Sequence, residues 1–275
     1  MSEGDPSAFA DIHSHLVPGV DDGAREVEDT LKSVERMTRL GIRKIITTPH
    51  LNASLCRDPG ALTDRLDEVS VAWEEAAVAI GRDFPEVDFR RGHEVMLDVP
   101  EVDLTDPRMR LAGTDFVLLE WPRLQVPPGT VNVLKKIVAD GYRPIIAHPE
   151  RYMGIDRDLA IVGQWKDAGA LLQVNYGSLS GRYGAEPRSH AWRILRRGWG
   201  DYMSSDFHGH SGMKIYFREA WEELEKLGAI EALRHLCHTN TGRVFKNDAP
   251  LPVPPLPAER GFWSKVRNFM MQEPE

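Results

Sequence analysis

Histidines and carboxylates recur in this chain where short apolar runs end. The runs, with the residues that close them, are AFADIH (8–13), RKIITTPH (43–50), VDFRRGHE (87–94), DFVLLE (115–120), RPIIAH (143–148), ALLQVN (170–175) and DYMSSD (201–206). Six of the seven finish in or beside a metal-ligating residue type: His13 with His15, His50, Glu94, Glu120, His148, and Asp206 with His208. In an extended H-x-H segment both side chains point the same way, so His13 and His15 can grip one ion. One such pair also arises by simple polar alternation on a solvated strand, and one strand-end histidine is ordinarily structural. Recurrence changes this. Imidazoles and carboxylates crowded at many strand ends leave uncompensated polar groups unless a cation neutralises them. The set mixes nitrogen and oxygen and lacks thiolate, which suits manganese, iron, zinc or magnesium rather than a structural zinc. Neighbouring ions in such a cluster orient a phosphate, stabilise the charge on its oxygens and supply hydroxide from bound water. The expected chemistry is phosphoester hydrolysis without a protein nucleophile.

Positioning these residues requires a regular scaffold. Between the apolar runs lie amphipathic segments of helical length, EDTLKSVERMTRLG (28–41), LTDRLDEVSVAWEEAAVAIG (62–81), TVNVLKKIVADG (130–141) and DLAIVGQWKDAG (158–169), several closed by the glycine that stops helices. Strand and helix patterns in alternation predict βαβ units and a parallel sheet. Seven such units without a nucleotide-type glycine fingerprint predict an α/β fold, a distorted (β/α)7 barrel over residues 1–246, with an open doubly wound sheet as the alternative. In both, function gathers at the carboxyl ends of the strands. Residues 247–275 begin with a proline-rich stretch expected to be an extended linker. GFWSKVRNFMM (261–271) has the pattern of a short amphipathic helix suited to a partner groove or a membrane surface, or to packing on its own barrel.

With 275 residues and a hydrophobic fraction of 41%, the chain can bury a large core. The net charge of -8 and the scattered Lys and Arg argue against a nucleic-acid partner. No apolar run is long enough for a membrane span, and the N-terminus lacks a basic and apolar leader pattern, so a cytoplasmic location is expected. Two cysteines, Cys56 and Cys237, exclude a disulfide framework. Residues 237–243, CHTNTGR, formally match the C-x5-R pattern of cysteine-dependent phosphatases. That loop should end a strand and lead into a helix N-terminus, whereas Cys237 ends a helical run, so a thiol mechanism is not expected.

Taken in order, DIHSHLVPGVDDGA, TTPH, GHEVM, LLEW, IAHPERY and SSDFH resemble the motifs of the PHP (polymerase and histidinol phosphatase) superfamily. Within it, the DIHSHL-PGVDDG opening and the IAHPERY box look like the bacterial capsule-biosynthesis tyrosine phosphatases, the CpsB/CapC/YwqE-like group. The resemblance spans roughly 8–245. It implies a distorted barrel with three divalent ions, manganese foremost, acting on a phosphotyrosine protein such as the tail of a bacterial tyrosine kinase that controls exopolysaccharide export. By that likeness His13, His15 and Asp206 hold one ion, Glu94 bridges to a second held by His50 and His148, and Asp22, Glu120 and His208 serve the third. Asp22 is preferred over the adjacent Asp21, for which a solvated turn is the plain reading. Arg151, on the loop after His148, is expected to clamp phosphate, with Asp206 and His208 taking part in the reaction. The group tends to carry basic residues directly after its TPH-type motif. This chain has Leu51 and Asn52 there, with Arg57 later. His93 and His210 are expected to be structural or to support ligands, and Trp121 and Tyr152 to be core. A small-molecule phosphatase of the histidinol-phosphate type and a degenerate binding module are the alternatives.

Overall fold

A computed structural model describes residues 9–257. Nine strands alternate with helices: β1 (Phe9–Asp11), β2 (Ile42–Thr47), β3 (His50–Asn52), β4 (Asp88–Arg91), β5 (Glu94–Met96), β6 (Phe116–Glu120), β7 (Arg143–Ala147), β8 (Leu171–Asn175) and β9 (Tyr202–Ser204). Every pairing is parallel, in the orders β1-β2-β4 and β3-β5-β6-β7-β8-β9. All seven expected strand segments are present. Two of them break in the middle, at Thr48–Pro49 and at Gly92–His93, so that β2 with β3 and β4 with β5 are two halves of one path each. The first path meets the last through the Ser14↔Phe207 bridge and the bonds from His15 N to Phe207 O and Asp206 N to His13 O, both 2.9 Å. These bonds join the two sheets into a distorted ring, not an open doubly wound sheet.

The four expected helices form as α1 (Val27–Arg39), α2 (Pro59–Asp83), α3 (Thr130–Ala139) and α4 (Ala160–Asp167). Asp58 caps α2 by accepting from Gly60 N and Ala61 N, and Gly169, at φ 92°, lets the chain turn out of α4 into β8. The second half adds α5 (Tyr176–Leu179), α6 (Ala185–Arg196), α7 (Phe217–Lys226), α8 (Ile230–Arg234) and α9 (Asn240–Val244), with a π-helical turn at His235–Thr239.

Strand register separates floor from mouth. Phe116, Leu118, Ile145, Ala147 and Tyr202 alternate onto the inner face with Ala10, Ile12 and Ile46, whereas Val117, Leu119, Ile146, Leu172 and Val174 pack outward with the helices' Leu134, Val162 and Trp165. Continuing the inner face toward the carboxyl ends brings His50 opposite Glu94, Met96 opposite Glu120, and Gln173 between Ala147 and Tyr202. The interior is apolar below and polar at the top.

The stretch 247–257 is extended, but it is not a free linker. Val253 and Leu256 are buried, Asn240 exchanges bonds with Leu251 at both its amide and its carbonyl, and Leu256 N donates to Leu195 O. The proline-rich segment has too few donors to make a sheet and finds its partners on the barrel instead. The expected amphipathic helix at 261–271 lies outside the described residues.

The loop after His15 folds back on its own strand: Ala24 N donates to His15 O at 3.0 Å and Gly23 N to Asp21 Oδ1 at 2.9 Å. A Cβ on Gly23 would stand 2.1 Å from the His15 carbonyl oxygen. Gly23→Ala must therefore lift the loop off the strand. The expected cost is about 1–3 kcal/mol, read as a melting temperature lowered by several degrees; an unchanged melting temperature would remove this contact from the account.

Candidate metal centre

Every expected ligand reaches the carboxyl end of the ring. Glu94 sits at the centre, fully buried, with Oε1 2.9 Å from His148 Nε2 and Oε2 at 3.2, 3.4 and 3.3 Å from His13 Nε2, His15 Nε2 and His50 Nδ1. Asp206 Oδ1 adds contacts of 3.5 Å to His13 Nε2 and 3.6 Å to His15 Nε2. His50 Nδ1 is also 3.0 Å from Glu120 Oε1, and Asp22 Oδ1 lies 3.5 Å from His50 Nε2 and 3.4 Å from His208 Nε2. The residues fall into overlapping groups: His13, His15 and Glu94; His13, His148 and Asp206; His50, Glu94 and Glu120; and His15, Asp22, His50 and His208. The partition implied by the sequence likeness put His148 with His50. In the structure His148 shares a group with His13 and Asp206, and His50 with Glu94 and Glu120, because His148 meets the opposite oxygen of Glu94 from the one His50 faces.

Whether this donor set fits cations can be decided from proton positions. His13 donates from Nδ1 to Gln173 Oε1 at 2.7 Å, and His15 from Nδ1 to Asp21 Oδ2 at 2.8 Å. Both rings then aim the Nε2 lone pair inward, where the two nitrogens lie 3.4 Å apart and face two carboxylate oxygens. With both rings neutral, four acceptors converge without a donor. Ligands about 2.1 Å from a shared ion stand roughly 3.0–3.4 Å from one another, close to the separations found. The residues fit a divalent cation.

The electrostatics of the cation-free cluster express the same need. Burial by itself pulls the His13 pKa down, but Glu94 and Asp206 more than reverse it and raise it to about 9. Burial likewise opposes protonation of His15 and His50, and bonds to Asp21 with Glu94 and to Glu120, respectively, win and raise both. Burial works to raise Glu94 and Asp206, yet the surrounding cationic groups hold Glu94 well below the carboxylate range and Asp206 at about 2. His208 goes the other way, lowered by burial and by the stacked His15 ring 4.1 Å away.

Two of these residues adopt the left-handed backbone region, His148 at φ 35° and Asp206 at φ 50°. Such conformations are strained and persist where packing over-determines them. After inner-facing Ile145 and Ala147, alternation alone would point His148 outward, and this turn brings its side chain back onto Glu94.

Arg151 stands beside the cluster, with a terminal nitrogen 2.6 Å from Asp206 Oδ2 and its guanidinium 4.2 Å over the Tyr183 ring. It lines a cleft of about 500 Å³ with Arg123, Arg182, Tyr183, His210 and Met213. Arg57 is elsewhere, exposed and 3.4 Å from Glu101, so it does not stand in for basic residues after the TPH motif. Arg123 and Arg182 went unseen in the sequence; the signal for Arg123 was its place three residues after Glu120 on a strand-end loop, and nothing marked Arg182. Asp21 has a different role from the one expected. Its carboxylate is buried beneath the loop, held down in pKa against the burial penalty by His15, and it orients that ring while exposed Asp22 meets the cluster. His93 faces away, donating to Arg108 O at 2.9 Å, and burial depresses its pKa to about 4. Trp121 and Tyr152 are core, joined where Trp121 N donates to Tyr152 Oη. Cys237 lies inside the π-helical turn, buried against Tyr176, and burial pushes its thiol pKa up to about 12. A helix does follow at α9, but the thiol is in a helix rather than at a strand end.

Comparison with known proteins agrees with this geometry. Tyrosine-protein phosphatase YwqE of Bacillus subtilis (strain 168) is 28% identical over 251 residues, covering 91% of this chain and 96% of that protein. Tyrosine-protein phosphatase CpsB of Streptococcus pneumoniae is 25% identical over 246 residues, covering 86% and 97%. A solved structure, described with YwqE from Bacillus subtilis and CpsB from Streptococcus pneumoniae as unique metal-dependent tyrosine phosphatases, superposes with a TM-score of 0.76 at 26% identity, over 92% of this chain and 100% of that one. An amidohydrolase from Mycoplasma synoviae shares the fold at a TM-score of 0.54 and 13% identity, over 96% and 95%. A family model described as capsular polysaccharide synthesis, CpsB/CapC, matches residues 9–246, and the chain belongs to that family.

Proposed function

We propose that this protein is a metal-dependent protein-tyrosine phosphatase, and the observation that carries the reading is the convergence of donor-free acceptors beneath an arginine-lined cleft. His13, His15, Glu94 and Asp206 would hold one divalent ion, with His50, Glu120, Asp22, His208 and His148 completing sites around it. Bound there, such ions neutralise phosphate oxygens and make hydroxide available from water at neutral pH. Arg151 presents a planar pair of donors to the outer phosphate oxygens, its plane set by Asp206 at one edge and Tyr183 beneath. Asp206 would thereby serve both the cations and the arginine, and His208 lines the cleft beside Asp22.

The leaving group favours phosphotyrosine. A phenol has a pKa of about 10, so the departing phenolate needs little help from an acid. Among the described residues, the carboxylates lining the cleft all belong to the ligand set. Relatives named as tyrosine-protein phosphatases support this reading over a histidinol-phosphate type or a degenerate module. We extend it to three ions with manganese as the native metal, to the tyrosine tail of a bacterial kinase as substrate, and to the cytoplasm as location. The nitrogen and oxygen donor set supports the first. Among the described residues no helix is long and apolar enough to cross a membrane.

Rates on a phosphotyrosine peptide, a phosphoserine peptide and histidinol phosphate, with and without chelator, test the proposal. Phosphotyrosine should be preferred and chelation should remove at least 99% of turnover (about 100-fold), whereas Cys237→Ser should keep it. Activity that survives chelation but not Cys237→Ser would overturn the metal reading.

Arg151→Lys should raise KM about tenfold, and Arg151→Ala further, with metal content unchanged, because lysine keeps the charge and loses the fork. Unchanged kinetic constants for Arg151→Ala would take this residue out of the site.

Against the pull of burial, Glu94 and Asp206 raise the His13 pKa from its ordinary 6.5 to about 9. A pKa raised by folding contributes stability that is complete below the unfolded value and is lost as pH climbs through the folded one. The chelated protein should therefore lose thermal stability between pH 7 and about 9, and the loaded protein, whose histidines are already deprotonated by their cations, should not. Melting curves with and without chelator that fall in parallel over this range would contradict the assignment.

A further inference from the structure

Among the seven strand paths of the described residues, the one formed by β8 is the one whose carboxyl end carries no expected ligand, yet its inner face is polar. Gln173 and Asn175, two residues apart, point the same way and are both completely buried. Their hydrogen bonds form a chain with a single direction. His13 Nδ1 donates to Gln173 Oε1 at 2.7 Å, Gln173 Nε2 to Asn175 Oδ1 at 2.9 Å, and Asn175 Nδ2 to Asp206 Oδ2 at 2.8 Å. Each amide spends its oxygen on one side and its nitrogen on the other, so turning either one over would set acceptor against acceptor or donor against donor. The chain starts on a ligand from the first strand path and ends on a ligand from the last.

Asn175 is itself pinned. Its backbone N–H donates at 2.9 Å to Oε1 of the buried Glu150, which also accepts from Ser178 Oγ at 2.6 Å. Its side-chain nitrogen lies 3.5 Å from Tyr183 Oη, and the Tyr183 ring carries the Arg151 guanidinium. Asp206 Oδ2, where the chain ends, is the same atom that Arg151 grips. One amide thus touches the support of both halves of the reaction, the cation ligands and the phosphate-binding arginine.

We propose that Gln173 and Asn175 are positioning residues with divided labour. Gln173 fixes the His13 tautomer and ring angle, so that Nε2 is offered to the cation. Asn175 fixes Asp206, leaving Oδ1 for the cation and Oδ2 for Arg151, while Tyr183 sets the guanidinium plane. The assignment rests on the reading of His13 and Asp206 as ligands and of Arg151 as the phosphate clamp. Residues that orient ligands are typically worth about 10–100-fold in metal affinity, and a buried donor or acceptor stripped of its partner carries its desolvation penalty.

The test separates two readouts, Mn2+ affinity by calorimetry with elemental analysis, and KM for a phosphotyrosine peptide at saturating Mn2+. Gln173→Leu should weaken Mn2+ binding about tenfold or more and leave KM near wild type. Tyr183→Leu should do the reverse, raising KM several-fold with Mn2+ affinity intact, and Tyr183→Phe, which keeps the ring, should restore KM. Asn175→Leu should shift both.

Leucine keeps the branched shape of asparagine and approximates the size of glutamine while removing the polar atoms, so a role in packing alone predicts that Gln173→Leu and Asn175→Leu are tolerated in both readouts, and that result overturns the proposal. Equal shifts in both readouts for all three leucine variants would also overturn it, since they would report general damage and not divided roles. If Asn175→Leu does not fold, Asn175→Ser takes its place with the same expectation. A wild-type protein that binds no Mn2+ would instead defeat the metal reading on which the inference rests.

Discussion

The structure is organised around a repulsion that the chain cannot relieve with its own atoms. Two imidazole lone pairs 3.4 Å apart face Glu94 and Asp206, and both rings have already spent their Nδ1 protons on Gln173 and Asp21. Glu94 and Asp206 answer that demand for positive charge by raising the His13 pKa to about 9 against the burial penalty. A cation held by His13, His15, Glu94 and Asp206 would supply a charge that all the acceptors can share. Asp21, bonded to His15, and the left-handed backbone of Asp206 fix the side chains of that cluster.

Parallel strands make such a cluster affordable in structural terms. Because neighbours in register share a face, an apolar floor of Leu118, Ile145 and Tyr202 can pass within one or two residues into a polar rim of Glu94, Glu120 and Gln173. The backbone of each strand is satisfied by its neighbours. Only side chains at the open end must find partners, and they find them in one another. The ring does not rely on regular strands throughout, since the breaks at Thr48–Pro49 and Gly92–His93 come directly before His50 and Glu94. Each break redirects a half-strand so that its first residue joins the cluster.

The sequence was legible where chemistry and period coincide. A histidine or acid closing an apolar run marks both a strand and its carboxyl end, so His13, His50, Glu94, Glu120, His148 and Asp206 could be read before any coordinates. The same logic was blind to Gln173 and Asn175, because amides carry no distinctive ligand signal and their importance lies in the direction of their bonds. Asp21 and Asp22 were distinguishable by the family likeness, but the turn that buries one and exposes the other is set by Gly23 returning onto His15. The arginines of the cleft come from three loops with no common spacing. Charge that is scattered along the chain is gathered only by the fold, and Arg57, the first arginine after the TPH motif, is carried away from the cleft on a surface turn.

The C-x5-R pattern shows why spacing alone decides little. Its cysteine and arginine stand at the required separation, yet thiolate chemistry depends on stabilising a negative sulfur, and Cys237 sits in a helix interior beside buried Tyr176 and Asp11. Burial pushes that thiol to about 12, so it remains protonated at neutral pH. The metal-type cluster meets the opposite condition. Its acceptors are arranged so that their own burial is costly until positive charge arrives, and the cleft above them already holds Arg123, Arg151 and Arg182. An anionic phosphate entering there would meet cations on one side and guanidiniums on the other, in a protein whose net charge of -8 would otherwise repel it. Attraction is therefore local to the cleft, and the same local field that draws in the phosphate is the one that the cation ligands require.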